Sequence, residues 1–68
     1  MNIVEAFKAL EEGRRIRRRP WDSDAYLFIK DGRLRSCVWD SFFGEWFSED
    51  ASLHIHDVMA NDWEVAND

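Results

Sequence analysis

The stretch AYLFIKDGRLRSCVW, Ala25–Trp39, contains the turn that decides the fold. Asp31 and Gly32 stand between two runs in which apolar and polar residues alternate. This dipeptide favours a two-residue type I′ turn, because both of its positions tolerate a positive φ. The turn predicts an antiparallel hairpin in which Lys30 faces Arg33. The further pairs follow in register: Ile29 with Leu34, Phe28 with Arg35, Leu27 with Ser36, Tyr26 with Cys37 and Ala25 with Val38.

That register divides the hairpin between two faces, since successive side chains of a strand point to opposite sides. The first, which we call the core face, is aliphatic and suited to a protein core: Ala25, Leu27, Ile29, Leu34, Ser36 and Val38. The second, which we call the aromatic face, mixes rings with cations: Tyr26, Phe28, Lys30, Arg33, Arg35, Cys37 and Trp39. Such rings fit a ligand, a second small core and a subunit contact equally well.

Residues 2–12 predict a short amphipathic helix before the hairpin. Its apolar positions follow the helical i, i+3, i+4, i+7 pattern: Ile3, Ala6, Phe7 and Leu10. Asn2 is placed to cap the helix together with Glu5, and Gly13 is placed to end it. We expect this stripe to lie on the sheet, with Phe7 in the core.

A basic run, RRIRRR at Arg14–Arg19, follows the helix and precedes Pro20 and Trp21. Five arginines in six residues are typical of a solvated surface and fit a nucleic-acid footprint equally well. The net charge of −5 argues against general affinity for nucleic acid, so we expect no direct nucleic-acid binding. A small anionic ligand remains a candidate, because arginine binds phosphate bidentately and Trp21 can stack on a base. Residues 22–24 form the loop into the hairpin.

The second half of the chain predicts shorter elements. Four aromatic residues surround Gly44, where we expect a turn with a strand on either side: Phe42, Phe43, Trp46 and Phe47. Ser52 is placed to cap a single helical turn over residues 53–59. Asn61–Asp62 indicates a turn, and Trp63–Val65 a closing strand. Together these elements predict an α+β fold, with a short N-terminal helix packed on a small antiparallel sheet built around one hairpin.

Chain length and charge limit the kinds of protein that this sequence can form. We expect residues 1–68 to form a single small domain, which buries too little surface to be very stable alone, so that oligomerisation is the expected supplement. The chain is strongly polarised, because residues 1–35 carry a net charge of +3 and residues 36–68 carry −8. No run is long and apolar enough for a membrane, and a lone Cys37 suits a reducing cytoplasm.

The sequence gives little support for a catalytic site or a metal site. Cys37, His54 and His56 can be drawn as a nucleophilic set in any chain with this composition, and no spacing singles out a pair of carboxylates or a zinc site. The three isolated glycines form no phosphate-binding loop. We therefore expect a binding module rather than an enzyme, with no cofactor and no metal.

Two separated segments carry a family resemblance. FKALEEGRRIRRRPW, Phe7–Trp21, resembles the opening of the second type of phage Thoeris anti-defence proteins, in which an Arg stands three residues before a Trp. Arg18 and Trp21 occupy those places. DVMANDWEV, Asp57–Val65, resembles the closing Asp-x-x-Ala-x-Asp-Trp-Glu signature of the same family.

The resemblance implies a homo-oligomer, a dimer or more typically a tetramer, that acts in the host cytoplasm. It implies that the protein sequesters a nucleotide-derived immune signal of the cyclic ADP-ribose type without turnover. The implied pocket lies between subunits and is lined by Phe7, Arg18, Trp21, Asn61 and Asp62. One branch of the family resembles anti-CRISPR proteins, so the alternative is an inhibitor whose acidic half blocks a CRISPR effector complex.

Overall fold

A computed structural model of the chain describes residues 1–21 and 25–66. In chain order the elements are α1 (Ile3–Glu11), β1 (Arg15–Arg18), β2 (Ala25–Lys30), β3 (Arg33–Asp40), β4 (Glu45–Asp50), α2 (Ile55–Val58) and β5 (Trp63–Ala66). The strands form one antiparallel sheet in the order β4-β3-β2-β1-β5. The predicted α+β fold is confirmed. The loop predicted at residues 22–24 lies outside the described residues.

The central hairpin has the predicted register throughout. All six pairs between β2 and β3 are present, from Lys30 with Arg33 to Ala25 with Val38. Asp31 has φ 53° and Gly32 has φ 75°, so both turn residues adopt the positive φ that a type I′ turn requires. The turn dipeptide therefore determines which residues of the hairpin face the core.

The turn after β3 is held by an aspartate. Oδ1 of Asp40 accepts hydrogen bonds from the backbone N–H groups of Phe42 and Phe43, at 2.8 and 3.1 Å. Gly44 has φ 66°, a conformation that glycine adopts without strain, and β4 begins at the next residue. The predicted turn at Gly44 is confirmed, and β4 becomes an edge strand of the sheet.

Helix α1 begins and ends as predicted. Asn2 Oδ1 accepts from the Glu5 backbone N–H at 2.9 Å, and Glu5 Oε1 accepts from the Asn2 backbone N–H at 3.1 Å, which completes a capping box. At the other end Gly13 has φ 84°, and the Arg14 N–H donates to the carbonyl of Ala9. Both ends of this short helix are therefore satisfied by local sequence.

The core lies between α1 and the core face of the sheet. Its buried residues are Ala6, Ala9, Leu10, Ile16, Leu27 and Trp63. The expectation that Phe7 is a core residue is wrong, because its side chain is 42% exposed. Ala9 takes the inward position instead. The small side chains of Ala6 and Ala9 let the helix lie close to the sheet, which leaves no room for a phenylalanine ring between them. Phe7 lies about 100° of helical rotation from Ala6 and so points away from that contact.

The core face is only partly covered. Helix α1 packs on β1, β2 and β5, and Leu27 is 3% exposed beneath it. Ile29 and Val38, which share this face, are 46% and 44% exposed. The core face therefore continues beyond the helix as an open apolar surface.

The segment after β4 returns across the core face. The Ala51 N–H donates to the Leu34 carbonyl, and Ala51 and Leu53 pack against the core. The prediction that Ser52 caps the following helical turn is wrong, because Leu53 continues this packed segment and α2 begins only after His54. The His54 N–H donates to Asp57 Oδ2 at 3.1 Å.

The chain closes beside its beginning. The predicted closing strand is confirmed as β5, which pairs with β1 so that Arg18 lies opposite Trp63. Within the part of the chain that the structure describes, no helix is long and apolar enough to cross a membrane.

Candidate functional site

A recess of about 470 Å³ opens on the core face between the sheet and the segment that follows β4. Its apolar wall includes Trp21, Ala25, Leu27 and Val38. The volume falls within the range of about 300–1,000 Å³ that small-molecule sites usually have. The recess therefore has room for a ligand of nucleotide size.

The opposite wall of the recess is polar and acidic. It includes the carboxylates of Glu49 and Asp57, together with Ser52 and His54. Carboxylates accept hydrogen bonds from hydroxyl and amino groups, and they repel phosphate. This wall suits the sugar and base of a nucleotide better than its phosphates.

Arg18 forms an ion-pair cluster next to the recess. Its Nε and Nη2 atoms donate to Oδ1 and Oδ2 of Asp62 at 2.8 and 3.0 Å, and its Nη1 donates to Asp57 Oδ1 at 3.0 Å. The bidentate contact with Asp62 is the geometry that guanidinium and carboxylate groups prefer. One cation with two carboxylates leaves this cluster, which we call the Arg18 cluster, with a net charge of −1.

The Arg18 cluster joins the two segments that carry the family resemblance. Arg18 lies at the end of β1, Asp57 lies in α2, and Asp62 directly precedes β5. The Arg19 backbone N–H also donates to the Asp62 carbonyl at 3.0 Å. The cluster thus holds the closing signature against the basic strand, so that these residues have a structural role in the folded chain.

Two tryptophans connect the Arg18 cluster to the recess. Trp63 is 1% exposed, and its Nε1–H donates to the Asp57 carbonyl at 2.8 Å. Trp21 contacts the Trp63 ring edge to face, with centroids 5.4 Å apart. Because Trp21 also lines the recess, its ring is held in place by the core on one side and faces open space on the other.

The ion pairs of Arg18 shift two pKa values in opposite directions. The hydrogen bonds from Arg18 lower the pKa of the Asp62 carboxyl below its ordinary value of 3.8. The hydrogen bonds to Asp62, and secondarily to Asp57, raise the pKa of Arg18. Arg18 is therefore charged at every working pH, and the titration of Asp62 decides how the cluster responds to acid.

We predict that the Arg18 cluster contributes to acid sensitivity. A carboxyl whose pKa is lower in the folded than in the unfolded chain adds stability above its unfolded value of 3.8 and loses it as the pH falls through the folded value. In Asp62→Asn, the free energy of unfolding measured by urea titration should therefore fall less between pH 6 and pH 3 than in the wild type.

The structure places the five predicted ligand-binding residues differently. It brings Arg18 and Asp62 into contact, with Trp21 nearby at the recess. Asn61 is exposed in the turn before Asp62, and its carbonyl accepts from the Met1 amino group at 3.3 Å. Phe7 lies on the exposed side of α1 and is not among the residues that line the recess.

Sequence reasoning missed the acidic wall. Glu49 and Asp50 end β4, and the β3–β4 register places Glu49 beside Ser36 on the core face. The signal was available in principle, since the turn at Gly44 fixes that register as Asp31-Gly32 fixes the first. Within residues 1–21 and 25–66, no group of three His, Cys, Asp or Glu side chains is arranged to hold a metal ion.

Comparison with known proteins assigns the chain to a family. A search of curated proteins gives no significant match. A family model for the Thoeris anti-defense 2-like domain, Tad2-like, matches residues 1–66 of the 68 residues. A match of this extent supports a phage anti-Thoeris function, which implies interaction with a host immune component or signal. The chain therefore belongs to the Thoeris anti-defense 2-like domain family.

Proposed function

We propose that this protein is a phage anti-defence protein that binds and sequesters a nucleotide-derived immune signal of the cyclic ADP-ribose type in the host cytoplasm. The observation that carries this proposal is the recess beside the Arg18 cluster, walled by Trp21, in a chain that belongs to a Thoeris anti-defence family. Membership in this family favours a binding protein without catalytic activity. We propose that the signal is held intact.

The recess suits the nucleoside part of such a signal. A purine has flat faces that stack on an aromatic ring, and Trp21 is held at a fixed angle by Trp63. Ribose hydroxyls are hydrogen-bond donors, and the carboxylates of Glu49 and Asp57 lie on the opposite wall as acceptors. Base and sugar would thus be recognised by different sides of one recess.

The phosphates require cations beyond this acidic wall. Arg18 uses three of its five N–H donors on Asp57 and Asp62, and two have no partner among the described residues. Arg19 is not available in the same way, because its Nε lies 3.9 Å from Glu64 Oε2 on the aromatic face. We place the pyrophosphate at these two remaining donors of Arg18, where Asn61 and Asp62 are positioned to contact the adjoining ribose.

A second copy of the chain would complete the site. Phe7 is exposed and lies away from the recess of its own chain, so in our proposal it contacts the ligand from a neighbouring subunit. A chain of 68 residues gains stability from such an assembly. The proposed binding residues are Phe7, Arg18, Trp21, Asn61 and Asp62, in a dimer or tetramer.

Calorimetry tests the proposal directly. Titration of the pure protein with cyclic ADP-ribose isomers and cyclic dinucleotides should give saturable heat with at least one of them. Mass spectrometry of the ligand released by heat denaturation should show its original mass, because binding without turnover leaves it intact. Absence of heat with every compound would exclude sequestration of this class, and a changed mass would exclude the non-catalytic mechanism.

A second function is favoured by the exposed acidic edge of the sheet. All six residues of β4 are exposed, and this edge strand contains Glu45, Glu49 and Asp50. Only Asp50 has an ion-pair partner among the described residues, Arg35 at 2.8 Å. A row of carboxylates can compete with a phosphate backbone for a basic groove, as an anti-CRISPR inhibitor of an effector complex would do.

Charge reversal separates this second function from the first. If β4 mimics nucleic acid, Glu45→Lys with Glu49→Lys should abolish inhibition of a CRISPR effector complex in a DNA-cleavage assay. The matched control reverses Glu11 and Glu12 at the C-terminal end of α1, which gives both variants the same net charge. Full inhibition by the β4 variant would exclude mimicry by this edge.

A further inference from the structure

The aromatic face of the sheet is uncovered among the described elements. Helix α1 and the packed residues Ala51 and Leu53 all contact the buried residues of the opposite, core face. Strand pairing extends the aromatic face beyond the hairpin, because residues opposite each other in a ladder share a side. The added side chains include Arg15 and Arg17 from β1, and Trp46 from β4.

The rings on this face form a continuous path across three strands. Tyr26 lies 5.8 Å from Phe28 and 5.9 Å from Trp46, and Trp46 lies 5.3 Å from Trp39, measured between ring centroids. Trp39 is 39% exposed and Trp46 is 50% exposed. Part of each tryptophan ring is therefore accessible to a flat partner.

Cations surround the rings. The Arg15 guanidinium carbon lies 4.5 Å from the Tyr26 ring centroid, and the hairpin tip forms a second recess of about 430 Å³. This tip recess is lined by Lys30, Arg33 and Arg35 with a single carboxylate, Asp31. A recess with three cations and one carboxylate suits a phosphate group.

The charge of this face is opposite to that of the whole chain. It carries five basic residues, at positions 15, 17, 30, 33 and 35, and two acidic ones, Asp50 and Glu64, which gives a net charge of +3 against −5 for the chain. Glu64 bonds Arg17 and Asp50 bonds Arg35. The expectation of no nucleic-acid binding rested on the net charge, which hides this separation.

From these observations we propose that the aromatic face binds single-stranded nucleic acid. Unpaired bases would stack on Trp39 and Trp46, and the phosphates would contact Arg33, Lys30 and Arg15. The distance from β1 to β4 is three strand spacings, about 14 Å, and a sheet face of this kind accommodates two or three bases. A duplex hides its bases from such a surface, so single strands are preferred.

This binding is separate from the proposed sequestration of a signal, because the recess walled by Trp21 lies on the core face. A variant of the aromatic face should therefore lose oligonucleotide and keep the signal. Loss of both together would point to a change in the fold.

Fluorescence anisotropy of the full chain with labelled ten-nucleotide dT and U strands tests the proposal. Both should bind saturably, at least tenfold more tightly than a ten-base-pair duplex and than polyphosphate of equal charge. The logarithm of the binding constant should fall with the logarithm of salt with a slope of about −1.4 to −2.8, as two to four phosphate contacts would give. Absence of saturable binding, or equal affinity for polyphosphate, would overturn the proposal.

Variants assign the binding to the face. Trp46→Ala should weaken binding about fivefold or more, and Arg33→Glu should weaken it for both strands and reduce the salt slope. The matched controls Met59→Ala and Lys8→Glu, exposed away from this face, should keep the wild-type affinity. Unchanged affinity of Trp46→Ala would refute stacking. If Trp46→Ala instead changes the mass measured by light scattering and no oligonucleotide binds, the face is a subunit contact and the proposal is wrong.

Discussion

Replacing Trp63 by alanine is expected to lower the free energy of unfolding by roughly 3–5 kcal/mol, the usual cost of removing a fully buried aromatic side chain. Trp63 is 1% exposed, packs on the core beneath α1, and donates its indole N–H to the Asp57 carbonyl. A domain of this length typically has only about 3–10 kcal/mol of stability, at roughly 0.05–0.15 kcal/mol per residue. Trp63→Ala should therefore remove a large share of the stability of the fold, and at the lower end of that range all of it.

Urea titration followed by far-UV circular dichroism measures this effect. The wild type and the variants must be measured at the same protein concentration, since assembly would make stability depend on concentration. Trp46→Ala is the matched control, because it removes the same side chain from a position that is 50% exposed, and it should cost much less. Equal midpoints for the two variants would show that the core is not built around Trp63.

The local parts of the fold could be predicted from sequence because local chemistry determines them. Asp31-Gly32 fixes six strand pairs, and the capping box with Gly13 fixes both ends of α1. The turn at Gly44 is likewise determined by its own residues. In each case the deciding interactions join residues that are close in the chain, so no knowledge of distant contacts is needed.

The packing of α1 could not be derived in the same way. Phe7 and Ala9 both fit a helical stripe, and hydrophobicity alone favours Phe7. The close approach of helix and sheet selects the smaller side chain, and this separation is a property of the whole fold. The same limit explains Ser52, because the segment after β4 is held by packing of Leu53 on a core that forms from distant strands.

The roles of Arg18 and Asp62 depend on a pairing between the two ends of the chain. Sequence motifs brought both residues to the site as independent ligand groups. The pairing of β1 with β5 makes them partners of each other, and no turn chemistry connects these strands. The opposite charges of the two motifs were the available signal, because oppositely charged side chains on adjacent strands often pair.

This arrangement changes what Arg18 offers to a ligand. Its charge is already balanced by Asp57 and Asp62, so it acts on phosphate through its two remaining N–H donors and by holding the site together. Trp21 packs against the core but is only partly buried, so the rest of its ring is available at the recess. The affinity for a signal should therefore depend more on Trp21 than on the charge of Arg18.

Replacing Trp21 by alanine is accordingly expected to weaken binding of a cyclic ADP-ribose-type signal about 5- to 150-fold, the range that corresponds to about 1–3 kcal/mol for one stacked base. Calorimetry on the wild type and the variant measures the change. Trp21→Phe should recover part of the affinity, because a smaller ring still stacks. Trp39→Ala is the matched control, since it removes a tryptophan from the opposite face of the sheet.

The mass of the assembly distinguishes a binding role from a structural one. Trp21 also contacts Trp63, so light scattering and circular dichroism should accompany the titration to show that Trp21→Ala keeps its oligomeric size and secondary structure. Under those conditions an unchanged dissociation constant would remove Trp21 from the site. A loss of affinity that appears only together with a smaller assembly would show that Trp21 supports the subunit contact, and the bound base would then have to stack elsewhere, with Phe7 of the neighbouring subunit as the next ring to replace.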